Sequence, residues 1–309
     1  MTRFYDHIVA AIAAKRPFVL ALISGTKGSS PQRLGAKALF FEDGKMVGTL
    51  GGGCLEAEVH ARAKRAMRTG EPATFEMLLD HDFGWDDGLI CGGSVSGLIL
   101  PRAVEAVQLW KKLVGPPAPI HWGVKKDFSI VVADSTNGSD WLYIETVAPP
   151  AQLWIAGSGH VAQAVAPLAS KLDFAVTVFD DRPDLASHEF FPPETQLRVD
   201  AWHELLKESP KSPAYGLIVT RGHQHDALVL TEWIHRPFVF LGMIGSRRKA
   251  RIIRERFLRE KIATETELDK VACPVGADIH AQSTQEIGVS IMAQYILKRA
   301  EYNKAPAHR

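Results

Sequence analysis

The apolar positions of this chain follow two different rhythms. From about Gln152 onward, short continuous apolar runs alternate with stretches of helical spacing. Residues 152–156, 174–179, 215–220 and 238–243 are short, apolar and rich in β-branched or aromatic side chains, and read as buried strands. Between and after them, residues 160–172, 202–208, 226–235 and 247–260 read as helices. A last helix, 284–299, opens on Ser283-Thr284-Gln285-Glu286, a capping-box pattern. Strands alternating with helices imply a parallel sheet joined by right-handed crossovers.

The first half is less regular. Residues 5–16 read as a helix with Ile8, Ala11 and Ile12 on one side, and 18–23 form an uninterrupted apolar strand closed by Ser24-Gly25. A long loop covers 25–35. Residues 36–42 and 46–50 then pair around Asp43-Gly44, a good hairpin turn. After Gly51-Gly52-Gly53 the period becomes helical over 54–68, and strands are expected at 74–79 and 94–100, flanking a polar loop at 81–88. Pro149-Pro150 marks the change of rhythm. It divides the chain into a smaller α+β N-terminal domain, 1–148, and an α/β C-terminal domain, 149–309.

Composition narrows the classes without naming one. Apolar residues are 46% and charged residues 23%, ordinary for a soluble globular protein. The formal net charge of +1 gives no electrostatic reason to expect nucleic acid or an anionic membrane as partner. The basic run Arg247-Arg248-Lys249-Ala250-Arg251 is interspersed with acid further on, and reads as a solvated helix face before it reads as an anion-binding patch. No run approaches the roughly 18 apolar residues of a membrane span, and the first residues lack a signal-peptide core. Three cysteines, Cys54, Cys91 and Cys273, are too few for a disulfide framework. A cytoplasmic protein with reduced thiols is expected.

Gly157-Ser158-Gly159-His160-Val161-Ala162 is a G-x-G-x-x-A sequence between an expected strand and an expected helix. The first glycine permits the tight turn, the second lets a pyrophosphate approach the backbone, and the small last residue lets helix and strand pack closely. On the next strand Asp180 stands where a ribose hydroxyl would be bound, with Asp181 expected to pair with Arg182. Together these features predict a Rossmann-like parallel sheet with helices on both faces. Gly157, Gly159, His160 and Asp180 are its candidate ligand contacts, for NAD(P) or another nucleotide. His223, His225 and Asp226, after another strand, could bind metal or act as acid and base. The simpler reading makes Asp226 a helix cap and leaves the histidines partly solvated. Cys273 reads as a small core residue.

In the first half, Gly51-Gly52-Gly53-Cys54-Leu55-Glu56 has more glycine than a strand-to-helix turn needs. Such a turn allows close approach to the backbone, offers N–H groups to an anion and favours the Cys54 thiolate at the helix start. Cys91-Gly92-Gly93 repeats the theme, and Gln32 in Gly28-Ser29-Ser30-Pro31-Gln32 adds an amide donor. No further Cys/His pair completes a structural zinc site, so a soft-ligand or sulfur-transfer role suits the thiols better.

These stretches, with Gly222-His223-Gln224-His225-Asp226 and Ile244-Gly245-Ser246-Arg247-Arg248-Lys249, resemble the XdhC/CoxI family over nearly the whole chain. Its members are accessory proteins of xanthine dehydrogenase and related molybdenum hydroxylases. The resemblance implies a protein that binds molybdenum cofactor (molybdopterin), supports its sulfuration with a cysteine desulfurase as sulfur donor, and delivers it to a xanthine dehydrogenase-type apoenzyme. Cys54 and Cys91 match the family's cysteine positions, and a homodimer would shield the cargo. Cys273, just before Pro274, is a departure from the family pattern. The alternative is an NAD(P)-dependent oxidoreductase with an N-terminal substrate domain, although no proton donor paired with a substrate-binding arginine is evident. A docking scaffold that holds no small ligand is a third reading.

Overall fold

Phe18 begins an apolar run that does not alternate, and the reason is burial from both sides. In the computed structural model of the chain, residues 2–28, 33–79, 93–134, 138–210 and 213–304 are described. Phe18, Leu20 and Leu22 point into one core and Val19, Ala21 and Ile23 into another, so successive residues of one strand feed opposite layers. The described residues fall into two compact units, Met1–Pro149 and Pro150–Arg309.

The first unit contains α1 (Thr2–Ala13), β1 (Phe18–Lys27), β2 (Lys37–Phe41), β3 (Met46–Gly48), α2 (Gly53–Thr69), β4 (Ala73–Leu79) and β5 (Gly93–Leu100). A 3-10 turn (Pro101–Ala106) leads into α3 (Val107–Leu113), β6 (Ile120–Lys125), β7 (Ile130–Val132) and β8 (Trp141–Val147). The five-stranded sheet has the order β3-β2-β1-β5-β4, and every neighbouring pair in it is antiparallel. α2 covers one face through Leu55, Val59, Ala63 and Ala66. The other face packs against Tyr5 and Ile8 of α1, Trp110 of α3, and Trp122 and Tyr143 of a three-stranded sheet, β7-β6-β8.

Two features depart from the sequence expectation. β1 continues to Lys27, past the glycine at which a loop was expected, by pairing with β5 across a register shift between Ile23 and Gly25. Nothing in the sequence singled out α3 or the small sheet. β7 is three residues long and only partly buried, too short for a period to show.

The second unit contains β9 (Ala151–Ala156), α4 (His160–Lys171), β10 (Phe174–Asp180), β11 (Gln196–Val199), α5 (Trp202–Leu205), β12 (Ala214–Ile218) and α6 (His223–Trp233). β13 (Phe238–Met243), α7 (Arg247–Arg259), α8 (Glu265–Leu268), β14 (Val271–Ala272) and α9 (Thr284–Lys304) complete it. All its strand pairs are parallel, in the order β11-β10-β9-β12-β13-β14. Counted from β9, that is 3-2-1-4-5-6, the doubly wound order with its switch point between β9 and β12. Leu153 and Ile155 face α4 and α9, whereas Trp154 and Ala156 face the layer of α5, α6 and α7. Helices therefore cover both faces, as the alternating pattern required. Ser283 and Glu286 make the expected capping box at the start of α9, exchanging bonds between each side chain and the other's backbone N–H. No helix among the described residues is long and apolar enough to cross a membrane.

Candidate functional site

Antiparallel register decides which loops of the first unit can meet. Leu22 pairs with Lys37, Ala38 with Gly48, Lys27 with Ser94 and Leu79 with Gly93. The departing ends of β1, β3 and β4 and the arriving ends of β2 and β5 therefore lie at one end of the sheet. Thr49 to Cys54 leave from that end. Gln32, Cys91 and Gly92 lie outside the described residues, but the strand ends that flank them, at Lys27, Lys37, Leu79 and Gly93, belong to the same end. Strand ends that flank three sequence motifs, from Lys27 to Gly93, are thus brought to one edge by topology.

Gly51, Gly52 and Gly53 have φ of 121°, 80° and 56°, three consecutive positions in the region that favours glycine. A Cβ added at Gly52 or Gly53 would meet nothing within 4 Å. Their requirement is therefore conformational, with open space left beside the turn. Gly52 caps α2 without any side-chain bond, and Cys54 follows as the second helical residue, half-buried. Two backbone N–H groups just before the helix already have acceptors within the protein. Glu56 accepts from Leu50 N (2.8 Å) and from the Thr49 hydroxyl (2.7 Å), while Thr49 Oγ1 accepts from Gly51 N (3.1 Å). Desolvation pushes the Glu56 carboxyl up, but Thr49 and the backbone N–H groups of Leu50, Gly52 and Gly51 outweigh it and hold it below its usual range. Leu50 and Gly51 of the turn are thus capped internally. An acid in a helix's first turn was the available signal.

Sequence reading also missed a buried polar cluster at the same end of the sheet. Lys37 Nζ donates to Gly35 O (2.8 Å) and Glu145 Oε2 (2.6 Å). Glu145 further accepts from Trp122 Nε1 (2.8 Å), Tyr5 OH and Tyr143 OH. Burial pushes Glu145 up, but the Lys37 charge and these donors outweigh it and keep the carboxylate ionised. Burial and the Glu145 charge raise both tyrosine hydroxyls, so they remain donors. The ammonium thereby ties Gly35, where the loop after β1 ends, to β8. A lysine opening an otherwise apolar strand was its only trace in the sequence.

In the second unit the carboxyl ends of the strands carry the motifs. Gly157 is buried with φ of 110°, and a Cβ there would lie 2.4 Å from Val219 O. Its N–H donates to Phe179 O (2.8 Å). Ser158 donates from both N (2.7 Å) and Oγ (2.8 Å) to Asp180 Oδ2. Gly159, at φ −72°, has open space beside it, and His160 begins α4 exposed.

Asp180 is buried and heavily used. Besides Ser158 it accepts from Arg182 N (3.0 Å), Nε (2.9 Å) and Nη2 (2.8 Å). Burial opposes ionisation, but Arg182 and Ser158 bring its pKa down to about 2. The local pairing expected for Asp181 with Arg182 is corrected: Arg182 pairs with Asp180, and Asp181 pairs with Arg221 (2.8 Å). A carboxylate saturated in this way braces the glycine turn.

Asp226 is corrected too, because α6 begins at His223 and Gly222 is its N-cap. The buried Asp226 carboxylate accepts from Thr220 N (3.0 Å), Thr220 Oγ1 (2.6 Å) and Lys249 Nζ, and Lys249 also donates to Ile244 O (3.0 Å). That pair fastens the loop after β12 to the loop after β13. His223 is exposed, and His225 is half-buried beside Arg221 Nη2 (3.2 Å). No metal-binding cluster of His, Cys, Asp and Glu occurs among the described residues. Cys273 is half-buried, with burial raising its thiol pKa.

Fold and site together define a two-unit protein: an antiparallel sheet with the Gly51–Cys54 turn at one end, followed by a Rossmann domain. The family model described as "XdhC and CoxI family" matches residues 11–82, and "XdhC Rossmann domain" matches 153–295. The chain belongs to the XdhC and CoxI family. It is 28% identical to the uncharacterized protein YqeB of Escherichia coli (strain K12), over 94% of this chain and 44% of YqeB, so it spans less than half of that relative. It is 25% identical to a protein of Bacillus subtilis (strain 168) named as a probable xanthine dehydrogenase subunit, over 97% of this chain and 98% of the relative. It is 26% identical to the molybdenum cofactor insertion chaperone PaoD of Escherichia coli (strain K12), over 93% and 85%. A crystal structure described as a xanthine dehydrogenase from Bacillus halodurans superposes with a TM-score of 0.81 at 25% identity, covering 98% of each chain.

Proposed function

We propose that this protein binds molybdenum cofactor as cargo at the loop edge of its first unit and delivers it to a xanthine dehydrogenase-type apoenzyme. The observation that carries this reading is the convergence at one sheet end of the Gly51–Cys54 turn and the strand ends flanking the Gln32 and Cys91 loops. The names of two relatives, one a molybdenum cofactor insertion chaperone and the other a probable component of xanthine dehydrogenase, support it. The open space at Gly52 and Gly53 admits a flat pterin against the backbone, and Cys54 offers a soft donor to molybdenum or its dithiolene. On this reading the protein also holds the cofactor while its terminal sulfido ligand is installed, with a cysteine desulfurase as sulfur source.

The oxidoreductase reading is weaker. The acid that would bind a ribose diol already accepts from Ser158 and Arg182. NAD(P) at Gly157, Gly159 and His160 would have to be recognised without Asp180.

The test is expression in a cofactor-producing host, followed by molybdenum and pterin analysis of wild type, Cys54→Ala and Cys54→Ala/Cys91→Ala, and by activation of an apo-hydroxylase. Near-stoichiometric pterin in wild type with at least tenfold less in Cys54→Ala is expected. Wild-type protein without pterin would sink the cargo reading. Full loading and activation by the double variant would sink the role of the thiols.

A further inference from the structure

We infer that the outer face of α9 is a self-association surface, on which a second copy of this chain seats its own α9 antiparallel. The inner face is fully used. Ile291, Met292 and Tyr295 are buried in the sheet-facing core, and Gly288 lets the helix approach Ala164 of α4 so closely that a Cβ would sit 3.3 Å away. A surface helix normally turns polar on its far side. α9 instead exposes Val289 (51%), Ile296 (38%) and Leu297 (56%), with exposed Ala293 and Ala300 between and beyond them.

Val289, Ala293, Ile296 and Ala300 are spaced by four, three and four residues, the seam of a heptad pair. Leu297 borders that seam, and no charged side chain interrupts it. At its ends stand exposed Glu286 and exposed Lys304.

The seam itself selects the occupant and its direction. In an antiparallel pair, Val289 faces Ala300 of the second copy and Ala293 faces its Ile296, so every layer sets a large side chain against a small one. In a parallel pair Ala would face Ala in two layers and leave them thin. Antiparallel pairing also brings Glu286 toward Lys304 of the second copy at both ends, whereas parallel pairing sets like charge beside like. The complementary contacts repeat under a two-fold axis, as an isologous dimer requires. One helical seam is small beside the roughly 800 Å² per partner of a standard interface, so dissociation is expected on the order of 10 µM.

Sedimentation velocity of the full chain between about 1 and 100 µM tests this. Wild type should pass from monomer to dimer over that range. Ile296→Glu, a change at an exposed position whose fold is checked by circular dichroism, should raise the dissociation constant at least tenfold. Lys304→Glu should weaken the dimer several-fold, and Glu286→Lys/Lys304→Glu should restore it. Because Glu286 also caps α9, its effect is judged by that rescue. A wild type that stays monomeric at 100 µM, or dimerises undiminished as Ile296→Glu, overturns the surface. A dimer that Ile296→Glu breaks but the charge swap neither weakens nor rescues overturns the antiparallel direction. None of these outcomes bears on the cofactor reading, which rests on the other unit.

Discussion

Replacing Gly159 by alanine separates what the Rossmann turn does for the fold from what it does for a ligand. At Gly159 the backbone is extended, φ −72° and ψ −177°, a conformation any residue adopts, and a Cβ meets nothing within 4 Å. Alanine there restricts the unfolded chain, worth about 0.4–1 kcal/mol of stabilisation. It also makes a poorer N-cap than glycine, costing on the order of 0.5–1 kcal/mol. The two nearly cancel, so Gly159→Ala should unfold within about 1 kcal/mol of wild type. Gly157→Ala is the contrast. Its φ of 110° costs on the order of 1–3 kcal/mol for a residue with a Cβ. Contacts of 2.4 Å to Val219 O and 2.7 Å to Val219 C, both backbone, force β9 and the end of β12 apart as well. A loss of about 3 kcal/mol or more is expected. Urea denaturation with intrinsic fluorescence, at matched m-values, measures both. If Gly159→Ala loses more than about 2 kcal/mol, or Gly157→Ala less than about 1, the reading of this turn is wrong. Because Gly159→Ala spares the fold, it then reports on the ligand. A phosphate drawn to the start of α4 would be held off by the methyl group, and binding of any nucleotide measured by calorimetry should fall about tenfold or more.

Three further outcomes are expected. Asp180→Asn keeps an acceptor for Ser158 but loses the charge that binds Arg182, and should destabilise by about 1–2 kcal/mol at pH 7, less than the full shift implies because Arg182 is partly solvated. Since the folded pKa is about 2 against an ordinary 3.8, this contribution is complete above about pH 5 and fades as pH falls toward 2. The gap between wild type and variant in urea should close in parallel, and a pH-independent gap would refute it. Lys37→Met leaves Glu145 buried without its cation and should cost about 3 kcal/mol, with much of that recovered in Lys37→Met/Glu145→Gln; equal instability of the single and double variants would contradict the pairing. Glu56→Ala should cost about 1 kcal/mol and speed amide exchange at Leu50, Gly51 and Gly52, the N–H groups its carboxylate and Thr49 now hold. Unchanged exchange there would refute the capping role.

The sequence alone determined the second unit's class and four of its six strands, because those signals are local; the edge strands β11 and β14, four and two residues long and without a fully buried residue, left no period to read. The unbroken apolar run Leu153-Trp154-Ile155-Ala156, the glycine at the turn after it, and the Ser283 capping box each follow from a few neighbouring residues. Gly51-Gly52-Gly53 read as more glycine than a strand-to-helix turn needs, whereas positive φ at all three positions shows that the turn itself requires them. Tertiary structure alone decided where the polar side chains are used. Asp180 looks like a ribose acceptor until Ser158 and Arg182 are seen to fill it, and Asp226 looks like a cap until Lys249 arrives from another loop. Lys37 and Glu145 are more than 100 positions apart, and no periodicity links them. A hydrophobic pattern repeats along the chain because it reports burial by layers. A hydrogen-bonded charge pair leaves no such repeat, since it depends on two distant backbones meeting at a few ångströms.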